Sequence, residues 1–173
     1  MAEPAHPLAP KDLSRAVGDQ LRRRRETLAV AESCTGGALS DLVTSIPGSS
    51  DYFLGGVISY SPAVKENLLH IPHKTITRHG VVSRETALAM AQGVRAALNA
   101  TWGIGITGVA GPGPDDAGNP GGLVFCAVAS PAREKCERFM FDFAGHDDAR
   151  VRVKSSAAIA ALRMLFQELQ TSS

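Results

Sequence analysis

Residues 47–65 read PGSSDYFLGGVISYSPAVK, and this stretch carries the main indications of the fold. Its first five residues, 47–51, combine proline, glycine, two serines and aspartate, a composition typical of a tight turn. Gly55–Tyr60 then predicts a strand, because the valine and isoleucine within it favour extended backbone. Ser61 followed by Pro62 marks a helix start, since serine caps free amides and proline needs no amide partner there. The stretch therefore predicts a strand joined directly to a helix.

The rest of the chain repeats this alternation of strands and helices. Short apolar runs predict buried strands, and apolar residues at three- to four-residue spacing predict helices. The predicted strands cover residues 27–32, 55–60, 101–106, 123–130 and 134–143. Predicted helices cover 38–46, 62–70 and 84–99, and two further helices begin at 11 and at 147. Residues 71–83 are expected to form a loop. This order predicts an α/β protein with a mixed, mostly parallel sheet and helices on both faces.

Length and composition indicate one globular domain. The chain has 173 residues, 44% hydrophobic and 20% charged, with a net charge of +1 and 5% aromatic residues. Such a chain shows no footprint for nucleic acid or for a membrane surface, and no apolar run approaches the ~20 residues that span a bilayer. We expect a domain at 11–170 after a disordered tail at 1–10, whose prolines oppose a helix. Three cysteines without paired spacing predict free thiols and a cytoplasmic protein.

Lys65 draws attention because the predicted helix start places it in the first helical turn. The positive end of the helix dipole disfavours an ammonium group there, and partial burial would lower the lysine pKa further. A neutral lysine beside the turn serine Ser50 would form a nucleophile and base pair. Serines in turns more often cap backbone groups, and such lysines are more often solvated, so the pair needs support from other parts of the chain.

Two glycine-rich loops follow the carboxyl ends of predicted strands, the edge at which open α/β sheets bind ligands. Residues 33–37 read SCTGG, and residues 107–114 read TGVAGPGP. Free backbone N–H groups converging at 33–37 would form an anion site, although a plain turn with Thr35 as a helix cap explains the same residues equally well.

The histidines do not indicate a metal site. His70, His73 and His79 are spaced by three and six residues, which matches no common zinc pattern, and no cysteine or acidic residue stands at ligand spacing. The chain also has neither a Walker loop nor a dinucleotide fingerprint. We expect no metal and no cofactor.

Four segments together resemble the C-terminal domain of the competence/damage-inducible protein CinA and the stand-alone nicotinamide-nucleotide amidases of that family. They are AESCTGG at 31–37, PGSSDYFLGGVISYSPAVK at 47–65, HGVVS at 79–83 and TGVAGPG at 107–113. The resemblance runs from about Leu13 to Leu169. It implies a three-layer α/β/α sandwich that hydrolyses nicotinamide mononucleotide to nicotinate mononucleotide and ammonia, as a homodimer or larger homo-oligomer.

The resemblance also implies roles for individual residues. Ser50 would be the nucleophile and Lys65 its base, with an acyl-enzyme as intermediate, and Tyr60 would orient the lysine or donate to the oxyanion. Backbone N–H groups near Ser49 or Gly108 would complete the oxyanion hole. The implied substrate-binding residues are Ser33, Thr35, Gly36, Ser49, Thr107, Gly108 and Arg150.

One position departs from the family pattern. The family usually has an arginine two residues after the glycine that matches Gly145, and here that residue is Asp147. Either Arg150 takes its place or a phosphate contact is missing. The departure keeps open a second hypothesis, a catalytically silent nucleotide-binding or protein-interaction module.

Two other enzyme hypotheses use different chemistry. Cys34 would be a nucleophile if its position at a helix N-terminus lowered the pKa of its thiol. Ser50, Tyr60 and Lys65 would alternatively form a dehydrogenase set. That set requires tyrosine and lysine four residues apart on one helix, whereas here they are five apart across a Ser-Pro break.

Overall fold

The computed structural model describes residues 8–143 and 145–171. The elements in chain order are α1 (Pro10–Arg24), β1 (Leu28–Glu32), α2 (Ala38–Thr44), a 3-10 turn (Ser49–Asp51), β2 (Phe53–Ile58), α3 (Pro62–Leu69), α4 (His73–His79), α5 (Arg84–Ala97), β3 (Trp102–Gly108), β4 (Leu123–Ala129), β5 (Glu134–Met140) and α6 (Ala149–Thr171). Of the predicted tail, residues 1–7 lie outside the described residues, and Pro10 already belongs to α1.

The five strands of the described chain form one sheet in the order β2-β1-β3-β4-β5. β1 pairs in parallel with both β2 and β3, whereas β4 runs antiparallel to β3 and β5 antiparallel to β4. Four strands therefore point in one direction and β4 alone points the other way, which confirms the predicted mixed α/β sheet. The carboxyl ends of β1, β2 and β3 consequently meet at one edge of the sheet.

Helices cover both faces of this sheet. On one face of the sheet, α1, α2 and α6 pack against side chains of β1 and β3. This buried core includes Leu13, Val30 and Ile104. On the other face α3, α4 and α5 pack against the remaining strand side chains through Leu69 and Met90. The result is three layers, helix–sheet–helix, as the family resemblance implies.

Helix α5 packs directly on the backbone of β3. A Cβ atom added at Gly105 would lie 2.3 Å from the carbonyl oxygen of Ala87, and one at Gly103 would lie 2.1 Å from that of Ala91. No side chain fits at these distances. The alternating glycines of the segment WGIGITG therefore let a helix approach the central sheet more closely than ordinary side chains allow.

Two helix starts that the sequence predicts are confirmed in detail. Pro62 opens α3, and the Ser61 hydroxyl accepts a hydrogen bond from the Val64 amide at 3.3 Å. The Ser83 hydroxyl likewise accepts from the Thr86 amide at 3.1 Å at the start of α5. Each cap satisfies a backbone donor that the first helical turn leaves free.

The predicted loop at 71–83 is wrong in its middle, where residues His73–His79 form α4. This helix has seven residues and only Ile76 is buried, so the sequence shows no apolar periodicity there. Several element ends also differ from the prediction by one to three residues, as at β2, which was expected at 55–60 and covers Phe53–Ile58. β5 ends at Met140 and α6 begins at Ala149, each within three residues of the expected boundary.

Candidate functional site

A candidate site lies where the parallel strands end. Ser33 directly follows β1, Tyr60 follows β2 after one residue, and Gly108 is the last residue of β3. Lys65 comes from the first turns of α3, which starts at this same edge. The topology therefore brings together residues that are 75 positions apart in the chain, from 33 to 108.

Ser33 and Lys65 form the central contact of the site. The ammonium nitrogen of Lys65 donates to the Ser33 hydroxyl oxygen at 3.1 Å and also to the carbonyl oxygen of Ser59. Lys65 is fully buried and Ser33 is 6% exposed. A buried lysine with a serine hydroxyl and one carbonyl as its acceptors has lost most of the solvation that an ammonium group normally keeps.

Burial changes the protonation of this lysine. It lowers the pKa of Lys65 from 10.5 to about 8, and the neighbouring Cys34 opposes this shift slightly. Desolvation penalises the charged form, and none of the described carboxylates pairs with the Lys65 ammonium. Lys65 can therefore be neutral near physiological pH and accept a proton from the Ser33 hydroxyl.

The expected pairing of Lys65 with Ser50 is wrong. Ser50 is exposed and belongs to the 3-10 turn before β2, whereas Lys65 lies in the helix after β2. Six strand residues separate the two ends of β2, which corresponds to about 20 Å of extended backbone. Ser49 lies in the same remote turn, and its amide donates to the carbonyl oxygen of Ile46, so it is not placed to stabilise an oxyanion beside Lys65.

The turn at 33–37 is held by an internal carboxylate. Glu32, fully buried, accepts hydrogen bonds from the amides of Gly37 at 3.0 Å, Leu39 at 3.1 Å and Ser40 at 2.9 Å, and from the Ser40 hydroxyl at 2.7 Å. The predicted anion site at the start of α2 is therefore already occupied by the protein's own side chain. Glu32 fixes the backbone that presents Ser33.

A cleft of about 220 Å³ opens beside this pair. Five of the residues expected from the sequence line this cleft, namely Ser33, Tyr60, Thr107, Gly108 and Arg150. The guanidinium of Arg150 donates to the Tyr60 hydroxyl at 3.1 Å and to the carbonyl oxygen of Gly111 at 2.9 Å. Arg150 thus brings a positive charge to the cleft, while Asp147 is exposed in the segment before α6.

Thr107 and Gly108 shape the opposite wall. Thr107 is buried and its hydroxyl donates to the carbonyl oxygen of Val81 at 2.8 Å, which ties the segment before α5 to the end of β3. A Cβ atom at Gly108 would lie 2.5 Å from the carbonyl oxygen of Leu123, so this glycine also permits the close pairing of β3 with β4. These contacts position the wall of the cleft.

The remaining turn residues do not supply a reactive group. Burial raises the pKa of the Cys34 thiol to about 12, so the thiol stays protonated and is a poor nucleophile. This contradicts the hypothesis of a thiolate at Cys34. Thr35 is fully buried and its hydroxyl has no hydrogen-bond partner within the described chain. Gly36 adopts a left-handed backbone conformation with φ +57°.

The histidines lie away from the cleft. His73 is exposed and contacts Glu66 at 2.8 Å, and His79 lies 3.8 Å from Glu85. Within residues 8–143 and 145–171, no three histidine, cysteine, aspartate or glutamate side chains cluster as metal ligands would. None of the helices in those ranges is long and apolar enough to cross a membrane.

The fold and the site define an α/β/α protein with a buried serine–lysine pair at the carboxyl edge of its parallel strands. The family model described as CinA C-terminal domain matches residues 10–169, and the chain belongs to this family. It is 48% identical over 160 residues to a CinA-like protein of a Cyanothece species and 45% identical over 152 residues to one of Myxococcus xanthus. These stretches cover 92% and 87% of this chain but only 37% and 35% of the relatives.

Solved structures of the family share the whole fold. A CinA superfamily protein of Klebsiella pneumoniae superposes with a TM-score of 0.88 at 27% identity, covering 95% of this chain and 99% of that one. The competence/damage inducible protein CihA of Agrobacterium tumefaciens gives a TM-score of 0.85 at 30% identity and covers 95% of this chain and 98% of that one.

Two residues of the site, Glu32 and Asp115, were not expected there from the sequence. Glu32 ends an apolar run and directly precedes the small turn residues, a position where a buried carboxylate can cap the next helix. Asp115 also lines the cleft, directly after the glycine-rich loop at 107–114. The sequence signal for Glu32 was present, whereas nothing in the loop composition distinguished Asp115 from Asp116.

Proposed function

We propose that this protein is an amidase that hydrolyses nicotinamide mononucleotide to nicotinate mononucleotide and ammonia, with Ser33 as the nucleophile and Lys65 as its base. The observation that carries the proposal is the 3.1 Å contact between the Ser33 hydroxyl and a lysine whose pKa is lowered to about 8. Membership of the CinA family supports the substrate class, because that family includes amidases of this nucleotide.

The residues of the site account for each proton in the reaction. Neutral Lys65 takes the hydroxyl proton as the Ser33 oxygen attacks the carboxamide carbon. Collapse of the tetrahedral intermediate breaks the carbon–nitrogen bond, and the Lys65 ammonium returns the proton so that ammonia leaves. Water then attacks the acyl-enzyme, Lys65 accepts a proton from that water, and the Ser33 oxygen leaves with it as the nicotinate carboxylate forms.

Tyr60 and Arg150 would act on the charge that develops during the attack. The Tyr60 hydroxyl oxygen accepts from Arg150, so its own proton remains available to an oxyanion at the cleft. The guanidinium next to it strengthens this donor. Thr107 would hold the facing wall through its bond to Val81.

Four single substitutions test the nucleophile and the base by ammonia release from nicotinamide mononucleotide. Ser33→Ala and Lys65→Met should each lower kcat by about a thousandfold or more, because a serine and its base act as one unit. Ser50→Ala and Cys34→Ala are the matched controls. The first removes a hydroxyl from the turn before β2, and the second removes the thiol that follows Ser33 after β1. Both variants should keep near wild-type rates. Full activity of Ser33→Ala would overturn the assignment.

The catalytically silent module remains the second candidate, and Asp147 in place of the usual family arginine is the observation that favours it. Folded wild-type protein that binds the mononucleotide and releases no ammonia would select this alternative. Arg150 opposes it, because a guanidinium reaches the cleft from a different position on α6.

We also propose that residues 11–170 form the catalytic domain and that it works as a homo-oligomer in the cytoplasm. β2 pairs only with β1 within the described chain, and Leu54 and Ile58 on this edge strand are about half exposed. An unpaired apolar strand edge commonly associates with another chain. The three cysteines are free and buried, as suits a reducing compartment. Sedimentation measurements would test the oligomer.

A further inference from the structure

We propose that two copies of this chain pair antiparallel along the free edge of β2, and that Leu54 of each copy packs beside Tyr60 at the cleft of the other. The inference rests on the proposed function and deepens it, because it names the partner that covers the mouth of the site. The pairing is isologous, so the same surface is used on both copies.

The two edge strands of the sheet differ in how they are protected against pairing. β5 has the sequence EKCERFM, in which four of the seven residues are charged, and charged side chains discourage another strand from adding to an edge. β2 has the sequence FLGGVI, with no charged residue and no proline, and its Leu54 and Ile58 are about half exposed. The edge at β2 is therefore the one that is open to another strand.

The backbone of β2 leaves hydrogen-bonding groups on its outer side. The Ser59 amide donates to the Glu32 carbonyl oxygen at 2.8 Å, so Ser59 faces β1. Because neighbouring residues of a strand face opposite sides in the ladder, Ile58 and Gly56 turn their amide and carbonyl groups away from β1. Among the described strands, none pairs with this side of β2. A second β2 running antiparallel would supply the missing donors and acceptors.

Gly56 sets the register of the pairing. At a twofold axis between two antiparallel strands, one residue stands opposite its own copy, and the exposed Gly56 has no side chain that would collide there. With Gly56 on the axis, Leu54 of one copy lies opposite Ile58 of the other. These two half-exposed apolar side chains then cover each other on both sides of the axis.

The charges at the two ends of β2 favour the antiparallel direction. Asp51 precedes the strand and is largely exposed, although it contacts Arg22 at 3.3 Å. After the strand, Arg150 lies 3.1 Å from the Tyr60 hydroxyl, and the first turn of α3 contains no acidic residue. Antiparallel pairing brings Asp51 of one copy beside Ser61 of the other, where the helix dipole and the guanidinium both attract a carboxylate. Parallel pairing would instead place two Asp51 carboxylates together.

This arrangement completes the mouth of the cleft. Tyr60 lines the cleft but is 61% exposed in a single chain. It follows Ile58 by two residues and lies on the same side of the strand, so Leu54 of the second copy becomes its diagonal neighbour, within reach of an aromatic ring. Leu54 is thus a positioning residue, which holds the Tyr60 ring so that its hydroxyl points to the oxyanion. We therefore expect the dimer to be the active form.

Cysteine cross-linking tests the register without requiring activity. In the double variant Leu54→Cys, Ile58→Cys, opposite Cα atoms of the two copies would lie about 5.5 Å apart, within the range of a disulfide. Oxidation by glutathione disulfide should therefore give a covalent dimer. Leu54→Cys alone should not cross-link, since its two copies would be about 13 Å apart along the strands. Met140→Cys is the control on β5, because Met140 is similarly exposed.

Sedimentation velocity and ammonia release test the link to the site. Leu54→Lys should be monomeric and lose at least about tenfold in kcat/KM, because a misplaced catalytic group is costly. Met140→Lys should remain a dimer with near wild-type rates. Leu54→Lys mixed with Lys65→Met should regain ammonia release, because the Lys65→Met chain supplies Leu54 to the intact site of the other chain. A merely structural role of Leu54 would give no such recovery.

The outcomes separate this interface from the proposed function. A double cysteine variant that stays uncrosslinked, or one that cross-links no faster than Met140→Cys, would overturn the interface even if the wild type releases ammonia. A monomeric Leu54→Lys protein with full activity would overturn the role of the second copy at the cleft. A cross-linked dimer whose wild-type form releases no ammonia would keep the interface and reject the amidase.

Discussion

The ammonium nitrogen of Lys65 lies 3.1 Å from the hydroxyl oxygen of Ser33, in a place from which solvent is almost excluded. The pair joins the ends of two neighbouring parallel strands, since Ser33 follows β1 and Lys65 enters with the helix after β2. Burial, with no carboxylate of the described residues beside the ammonium group, makes the neutral lysine accessible near pH 8. Both catalysis and folding stability should therefore depend on the protonation of this one side chain.

The activity of the wild type should rise with pH through the pKa of Lys65. In the proposed mechanism the neutral lysine is the base, so kcat/KM should increase about tenfold per pH unit below pH 8 and level off above it. Steady-state ammonia release from pH 6 to pH 9.5 measures this profile. Ser50→Ala should give the same curve. A flat profile over this range would reject Lys65 as the base.

The free energy of unfolding should also depend on pH through Lys65, and the direction of this dependence follows from its lowered pKa. The folded pKa of about 8 is below the unfolded value near 10.5, so between these values the unfolded chain holds a proton that the folded protein lacks. Stability contributed by this group therefore rises with pH across that window. Relative to Lys65→Met, the wild type should gain roughly 2 to 3 kcal/mol in the free energy of unfolding between pH 7 and pH 10.

Urea unfolding of both proteins at several pH values measures this gain. Lys74→Met is the matched control, because Lys74 is exposed on α4 and its removal should not change the pH dependence. If the difference between wild type and Lys65→Met stayed constant from pH 7 to pH 10, the lowered pKa would be refuted.

Glu32→Gln should destabilise the protein by roughly 3 kcal/mol. The buried carboxylate accepts three amide hydrogen bonds and one from a hydroxyl, and a glutamine would turn its own N–H group toward some of those donors. Chemical denaturation provides the measurement. Glu85→Gln, which removes an exposed carboxylate from the first turn of α5, should cost less than about 1 kcal/mol. Equal losses in the two variants would contradict the role of Glu32.

Gly105→Ala should cost about 3 kcal/mol in the free energy of unfolding, because the added methyl group meets the α5 backbone at 2.3 Å and the helix must move. Gly113→Ala is the control, since a Cβ atom there has no neighbour within 4 Å. Thermal and urea unfolding of the two variants should differ clearly. A Gly105→Ala protein as stable as the control would show that α5 can shift without loss.

The fold could be predicted from sequence because its signals are local. Apolar runs mark the strands, and the Ser-Pro and serine caps mark the starts of α3 and α5, as the structure confirms. Helix α4 lacked such a signal, since its seven residues bury only Ile76. A helix stabilised by its neighbours and not by its own periodicity cannot be recognised from a single sequence.

The site was harder to predict because proximity in sequence misled the choice of serine. Ser50 is closer to Lys65 along the chain than Ser33 is, but an entire strand lies between Ser50 and Lys65 and carries them to opposite edges of the sheet. Ser33 and Lys65 share an edge because β1 and β2 are parallel neighbours. Strand order depends on long-range packing. The sequence therefore indicated which loops form the site but not which serine contacts Lys65.

The contact of α5 with the glycines of β3 has a consequence for motion. Because α5 packs directly on backbone atoms of β3, no space remains for water between them. The hydrogen bonds of β3 can therefore break only when α5 separates from the sheet. Amide hydrogens of Ile104 and Ile106 should then exchange with solvent only through global unfolding. Thr107 continues this strand, and the Ser33 amide donates to the Ile106 carbonyl oxygen at 3.0 Å. Ser33, the proposed nucleophile, is thus attached to the part of the molecule that we expect to exchange most slowly, which would hold its backbone in place.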